Sequence, residues 1–268
     1  MQGGRCRDAA LHTLAAMPRR LLAIALVLLA VLLTGCTDDP ADRQPGDPVT
    51  AEEAEVLAGL LAGTAETGGA DLVATAPFGE DGLLTLTGEV DLAGATGRAR
   101  AVTSYGGEQP DDVRTVFFTA DTVWFGDLAG LPAALSAEGL PDVPFVRRPL
   151  ATGSEEVPLT DVLVRLVLNL GADGTDDAAA FTAGGHTWQG QRSIDGRLAS
   201  VYASDAGWSV AVDDGSGLLL QYATRLPGQE DDVTVTLADH GPRTIALPEE
   251  GQTVDAVAHP AVATAVGV

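Results

Sequence analysis

The chain of 268 residues is strongly acidic, with 38 aspartates and glutamates against 15 basic residues and a formal net charge of −23. Such a surface repels nucleic acid and anionic lipid headgroups, so we expect no nucleic-acid partner and no adsorption to an anionic membrane by charge attraction. Hydrophobic residues make up 46% of the chain, which is enough to bury the core of one large domain or two small ones.

The N-terminal region has the form of a bacterial lipoprotein signal. Arg19 and Arg20 precede an unbroken apolar run over residues 21–33, which ends in the motif LTGC. The run is short for a membrane span, since a spanning helix needs about 20 residues. The pattern predicts a signal peptide over residues 1–35 and acylation of Cys36, with palmitate-type chains as the lipid anchor. The alternatives are a cleaved secretory signal with an incidental cysteine, or an uncleaved anchor, and both export the domain.

Two questions about this region stay open at the level of sequence. Either Met1 or Met17 is the true start, and the arginine pair is compatible with both the Sec and the twin-arginine export routes. Residues 36–49 are rich in aspartate and proline, which predicts a disordered tether. Because Cys6 precedes the cleavage site, the exported chain holds one cysteine and no intramolecular disulfide.

The tether leads into a helix that is followed by an antiparallel meander. Thr50 and Glu53 have the spacing of a capping box, and apolar residues at helical spacing follow them. From residue 70 the pattern changes to that of strands, with a tight hairpin predicted over residues 113–125. Residues 126–157 are rich in proline and glycine and show no periodicity, which predicts a functional loop or a mobile lid.

A second helix is predicted over residues 158–170. Its apolar residues cover about three-quarters of the circumference, so it must be covered on several sides. It is therefore either buried between layers or one wall of an apolar cavity. Asp161, Arg165 and Asn169 recur every four residues and form a narrow polar stripe on this helix.

A second meander of five strands is predicted between residues 187 and 247. The expected strands are Trp188–Ile194, Leu198–Ser204, Trp208–Val212, Leu218–Arg225 and Val233–Ala238. Asp-Gly pairs, which are preferred in two-residue hairpins, mark two of the turns. Strands joined by short hairpins in both halves predict an α+β fold with one antiparallel sheet, strongly twisted and curled around the helices.

No catalytic motif is found in the sequence. A nucleophile elbow, a zinc-protease motif and a phosphate-cradling loop are all absent, so we expect no enzymatic activity and no cofactor. His186, His240 and His259 lie far apart beside turns, as solvated histidines usually do. Residues 173–177 resemble half of a calcium loop but lack the later ligands, so no metal site is predicted.

Three stretches resemble a known family. They are residues 88–91, the strand pair formed by 196–202 and 207–210, and residues 233–241 with the Leu-Pro pair that follows them. On these patterns the region 50–250 resembles the actinobacterial lipoproteins of the LppX/LprG type, a branch of the LolA/LolB-like superfamily. The resemblance implies a curled antiparallel β-sheet, or half-barrel, that is packed against a few α-helices and encloses an apolar cavity. Residues 251–268 are expected to form a C-terminal tail.

The resemblance also implies a function. A lipoprotein of this type lies at the outer face of the cell membrane, carries an acylated lipid or lipoglycan, and has a membrane transporter as a conceivable partner. The candidate cavity residues, for which the family gives no fixed motif, are Trp124, Leu163, Leu166, Val167 and Leu170. The segment 126–157 is expected to gate the entrance. The alternative is an extracytoplasmic sensor or partner-binding lipoprotein with the same fold and no lipid cargo, which a solidly packed interior favours.

Overall fold

The computed structural model of the chain describes residues 43–151, 157–227 and 231–268. The predicted signal peptide, the predicted anchor Cys36 and the tether as far as residue 42 lie outside the described residues.

Within the described residues, twelve β-strands join into one large, curled and open sheet. The strands are β1 Gly69–Phe78, β2 Gly82–Asp91, β3 Thr96–Ser104, β4 Asp112–Thr119, β5 Thr122–Gly126, β6 Phe145–Pro149, β7 His186–Ile194, β8 Arg197–Ser204, β9 Trp208–Asp213, β10 Leu219–Arg225, β11 Asp232–Ala238 and β12 Thr253–Asp255. Their order across the sheet is β12-β6-β5-β4-β3-β2-β1-β11-β10-β9-β8-β7. Neighbouring strands are antiparallel except for the pair β6 and β12.

Five α-helices occur in the described part of the chain. They are α1 Ala51–Glu66, α2 Leu131–Ala137, α3 Leu159–Leu168, α4 Ala178–Ala183 and α5 Pro260–Val266. Helix α1 packs against α4 and β10, and α3 packs against β1 and β2. The sheet and these helices confirm the predicted α+β fold class.

Helix α1 begins at the predicted capping box. The backbone N–H of Glu53 donates to the Thr50 hydroxyl at 3.2 Å, and the backbone N–H of Thr50 donates to the Glu53 carboxylate at 2.8 Å. These reciprocal bonds satisfy two backbone donors that the first turn leaves without helical partners. The helix continues through Gly63 and ends at Glu66, before the Gly-Gly pair that follows it.

A glycine permits close packing within the first half of the sheet. Gly97 on β3 lies opposite Phe118 on β4, and a Cβ atom at Gly97 would lie 2.0 Å from the Phe118 ring. The Phe118 side chain is fully buried. Only glycine leaves room for the phenyl ring to lie flat over the neighbouring strand, where it covers the backbone and fills the core.

Several segments that the sequence analysis left without secondary structure are built into the sheet. The loop predicted over residues 126–157 holds helix α2 and strand β6, which pairs with β5. Residues 251–268, expected as a tail, supply β12 and helix α5. The last residues of the predicted tether are hydrogen-bonded along β7, so residues 44–268 form one compact unit.

The second predicted Asp-Gly turn is held by a charged side chain. Asp213 accepts hydrogen bonds from Arg197 at 2.8 and 3.1 Å, and from the backbone N–H and hydroxyl of Ser216 at 2.7 and 2.6 Å. Its side chain is only 9% exposed. The hydrogen bonds from Arg197, followed by those from Ser216, lower the pKa of Asp213 to about 2.

We expect the Arg197→Ala variant to lose about 1–2 kcal/mol of unfolding free energy near neutral pH, and less in acid. An aspartate in the unfolded chain has a pKa of about 3.9. The stabilisation from the low folded-state pKa is therefore complete above about pH 4 and is lost as the pH falls towards 2. Urea unfolding at about pH 6 and about pH 3 measures the difference. An equal loss at both pH values would show that Arg197 acts through packing alone.

Candidate functional site

A cavity of about 300 Å³ lies between three helices and the inner face of two strands. The helices are α1, α3 and α4, and the strands are β9 and β10. Its apolar lining consists of Leu57, Leu60, Leu61, Leu166, Leu170, Phe181, Trp208, Val210 and Tyr222. Two polar residues, Asn169 and Asp176, complete the lining, and both are exposed, so the mouth of the cavity lies on their side.

Helix α3 presents two different apolar faces. Leu163, Val164 and Val167 are fully buried in the core under the sheet. Leu166, at the next position round the helix, is partly exposed and lines the cavity together with Leu170. The helix is therefore both a core element and a cavity wall, which explains why apolar residues cover so much of its circumference.

The loop between α3 and α4 is tied to α1 across the cavity. The backbone N–H of Ala172 donates to the carbonyl of Leu61 at 3.3 Å, and that of Asp176 donates to the carbonyl of Ala58 at 2.9 Å. This loop includes residues 173–177, which resemble half of a calcium-binding loop in sequence. Two backbone hydrogen bonds fix its position, so the loop holds α3 and α4 on either side of the cavity.

Three rings contact one another in a row along one edge of the cavity, each tilted against the next. The rings of Phe181 and His186 are 5.0 Å apart, and those of His186 and Trp208 are 5.3 Å apart. The Nδ1 atom of His186 lies 3.1 Å from the carbonyl oxygen of Phe181. Because Phe181 and Trp208 also line the cavity, His186 joins the helix side of the wall to the sheet side.

The chain enters the domain at this same edge. The backbone N–H of Val49 donates to the carbonyl of His186 at 3.1 Å. Further along β7, the N–H of Trp188 donates to Asp47 and the N–H of Gly46 donates to Trp188, both at 2.8 Å. The segment that follows the predicted tether is thus fixed beside the row of rings at the cavity edge.

The structure brings two of the five predicted cavity residues to the cavity. Leu166 and Leu170 line it, whereas Leu163 and Val167 are buried in the core behind them. Trp124 lies on the opposite face of the sheet, because its neighbours Val123 and Phe125 point into the core and side chains alternate along a strand.

The segment 126–157 is likewise placed away from the cavity. None of its described residues, 126–151 and 157, lines the cavity. Helix α2 of this segment packs against α5 at the other end of the sheet, and β6 pairs with β5. Within its described part the segment therefore does not gate the entrance, in contrast to the prediction.

Sequence reasoning missed most of the lining. The leucines of α1 were predicted as an apolar helix face but not as a cavity wall, and α4, which supplies Phe181, was not predicted at all. A signal for α4 was present, since Asp177 precedes a run of good helix formers and caps the helix through the N–H of Ala179 at 3.0 Å. Trp208 and Tyr222 lie on predicted strands, but the sequence did not show that they share the sheet wall of one cavity.

Two negative findings concern the described residues 43–151, 157–227 and 231–268. No helix in this part of the chain is long and apolar enough to cross a bilayer. Within the same residues, no three histidine, cysteine, aspartate or glutamate side chains converge as a group that could hold a metal ion.

The chain was compared with known protein families, curated proteins and solved structures. No protein-family model matches the chain, and no curated protein matches it. The chain is similar in structure to LprF from Mycobacterium bovis, with 13% sequence identity, a TM-score of 0.42, and coverage of 76% of this chain and 99% of that chain.

Proposed function

We propose that this chain is a membrane-anchored lipoprotein that binds an acyl chain of an envelope lipid or lipoglycan in the cavity between α1, α3 and α4. The observation that carries the proposal is the cavity itself, whose wall is made of leucine, valine and aromatic side chains. A concave cavity with an apolar wall favours a ligand that gains by leaving water. The proposal assigns no catalytic step to the chain.

The size of the cavity suits one acyl chain. A methylene group takes up about the volume of a water molecule in the liquid, ~30 Å³, so the cavity of about 300 Å³ holds roughly ten of them. Each buried methylene contributes about 0.8 kcal/mol, which gives a gross gain of about 8 kcal/mol. Because ordering the chain and immobilising the lipid cost part of this gain, we expect micromolar or weaker binding. Such an affinity allows release, which a carrier requires.

The polar groups at the mouth suit the headgroup region of such a lipid. The Asn169 amide offers donors and an acceptor, and the Asp176 carboxylate offers acceptors. Both side chains are exposed at the edge of the apolar lining. A carboxylate repels phosphate, so the pair favours hydroxyl groups of glycerol or sugar next to the acyl chain.

The place where the chain enters the domain supports membrane anchoring close to the cavity. Val49 is bonded to His186, which contacts the cavity residues Phe181 and Trp208. Gln44 follows Cys36 by eight positions in the chain, a reach of at most about 28 Å when extended. Acylation of Cys36 on the outer face of the cell membrane would therefore hold Gln44 within that reach of the anchor.

Native mass spectrometry of residues 37–268, expressed without the anchor in a host with a complex lipid envelope, tests the proposal. We expect discrete added masses that extract into organic solvent and whose fragments identify an acylated lipid. A clean protein mass, with no uptake of dipalmitoyl lipids offered in vitro, would contradict it. That result would favour the alternative of a sensor or partner-binding lipoprotein without lipid cargo.

A further inference from the structure

A second concave site lies on the outer face of the sheet, on the side away from the acyl-chain cavity. It is an open groove of about 550 Å³ across strands β1 to β6. Its lining includes the side chains of Arg98, Arg100, Thr115, Phe117, Asp127 and Phe145. Their strand neighbours Ala99, Val116 and Val146 are buried in the core, so these side chains point outward by strand alternation.

The register of the strands places aromatic rings between arginines. Arg98 on β3 pairs with Phe117 on β4, Phe117 pairs with Trp124 on β5, and Trp124 pairs with Arg147 on β6. The Phe117 ring also contacts the Phe145 ring edge to face, at 5.6 Å between centroids. The phenylalanine rings give the groove an apolar surface in the middle of a polar face.

The charges in the groove balance one another. Arg98 forms an ion pair with Glu89 at 3.1 Å, and Asp71 forms one with Arg243 at 2.9 Å. Arg100 is exposed and has no ion-pair or hydrogen-bond partner among the described residues, while Asp127 carries the opposite charge on the same groove. When Arg243 is counted beside its partner Asp71, three arginines balance three carboxylates at the groove, which therefore offers both donors and acceptors.

Asp127 is held in an unusual conformation at this site. Its φ of 58° lies in the left-handed region, which non-glycine residues seldom adopt. Its carboxylate accepts a hydrogen bond from the Thr115 hydroxyl across the β4–β5 pair. The conformation directs the carboxylate over the groove, where a second lone pair remains for a ligand.

We propose that this groove binds a neutral oligosaccharide. Aromatic faces carry partial negative charge, and the C–H groups on one face of a pyranose ring carry partial positive charge, so the two pack together. Sugar hydroxyls donate and accept hydrogen bonds, which matches Asp127 as acceptor and Arg100 as donor. A net charge of −23 on the chain disfavours anionic polymers, and the balanced charges of the groove give them no compensation.

The test measures binding of chitotetraose, maltotetraose and mannotetraose to residues 37–268. Saturation-transfer NMR detects the binding, and calorimetry gives the Kd. We expect at least one of them to bind, and we expect Phe117→Ala and Arg100→Ala each to raise its Kd about tenfold. Arg192→Ala is the matched control, because Arg192 is an exposed arginine on β7 that contacts Gln221 outside the groove. That variant should bind as the wild type does.

Three results would overturn the inference. They are no binding of any of the three sugars at millimolar concentration, binding that neither groove variant weakens, and tighter binding of an anionic tetrasaccharide such as tetragalacturonate. The Leu166→Trp variant separates this site from the acyl-chain cavity, because it fills the cavity and leaves the groove unchanged. Sugar binding retained in that variant shows that the groove acts independently of lipid uptake.

Discussion

Replacing Leu166 with tryptophan is expected to abolish lipid uptake while lowering the unfolding free energy by no more than about 1 kcal/mol. The Leu166 side chain is partly exposed and lines the cavity, so the larger ring extends into empty space. Overpacking a filled core costs about 1–3 kcal/mol, but a ring that enters a cavity of about 300 Å³ displaces no protein atoms. Leu166→Asp should also block uptake, because a charge in an apolar cavity repels an acyl chain.

The matched control is Leu163→Ala, one turn earlier in the same helix. Leu163 is fully buried in the core and does not line the cavity. Its truncation should cost about 2–5 kcal/mol but leave uptake per folded molecule nearly unchanged. Native mass spectrometry measures the uptake, and urea unfolding measures the stability. If Leu166→Trp lowered uptake and stability in proportion, the helix would be core and not a binding wall.

The strands of the second meander could be predicted from sequence to within a residue or two. Trp208–Val212 was expected and Trp208–Asp213 is observed, because the β-rich run begins after Gly207 and ends at an Asp-Gly turn. The start of α1 was equally clear, since Thr50 and Glu53 form a local motif that needs no tertiary context.

Short elements were missed because they depend on tertiary contacts. Helix α4 has six residues and β6 has five, too few to show a period of their own. Strand β6 exists because it pairs with β5 on one side and β12 on the other. Pairings between distant segments leave no local pattern in the sequence, so the region around β6 was predicted as a loop.

The faces of apolar segments were also hard to predict. Val123, Trp124 and Phe125 are all apolar, so alternation gives no sign of which side faces the core. The same ambiguity affected α3, in which Leu163 and Leu166 differ in environment but not in residue type. Periodicity identifies an apolar helix, whereas the division between core and cavity depends on what packs around it.

Replacing Asp161 with asparagine is expected to lower the unfolding free energy by about 3–5 kcal/mol, the largest loss predicted for a polar residue of this chain. The sequence placed Asp161 on a polar stripe, but its side chain is fully buried. Its carboxylate accepts two hydrogen bonds from Arg148, at 2.7 and 2.8 Å, and one from the backbone N–H of Ala151 at 2.7 Å. Arg148 also lies 5.1 Å from the centre of the Phe125 ring. Without the carboxylate, the guanidinium of Arg148, which is only 16% exposed, keeps its charge with no carboxylate beside it.

The double variant Arg148→Met with Asp161→Leu separates the pair's own contribution from the cost of breaking it. Removing both charges should restore most of the lost stability, because apolar side chains of similar size replace a buried ion pair at little cost. The matched surface control is Asp232→Asn, since Asp232 and Arg225 are 49% and 60% exposed and such a pair contributes at most about 1 kcal/mol. Urea unfolding measures the unfolding free energy of the three variants. Equal losses for Asp161→Asn and Asp232→Asn would refute the large cost predicted for breaking the buried pair.

The pair joins β6 to the first turn of α3, the helix whose other face lines the cavity. Loss of the pair should therefore loosen the cavity wall as well as the core.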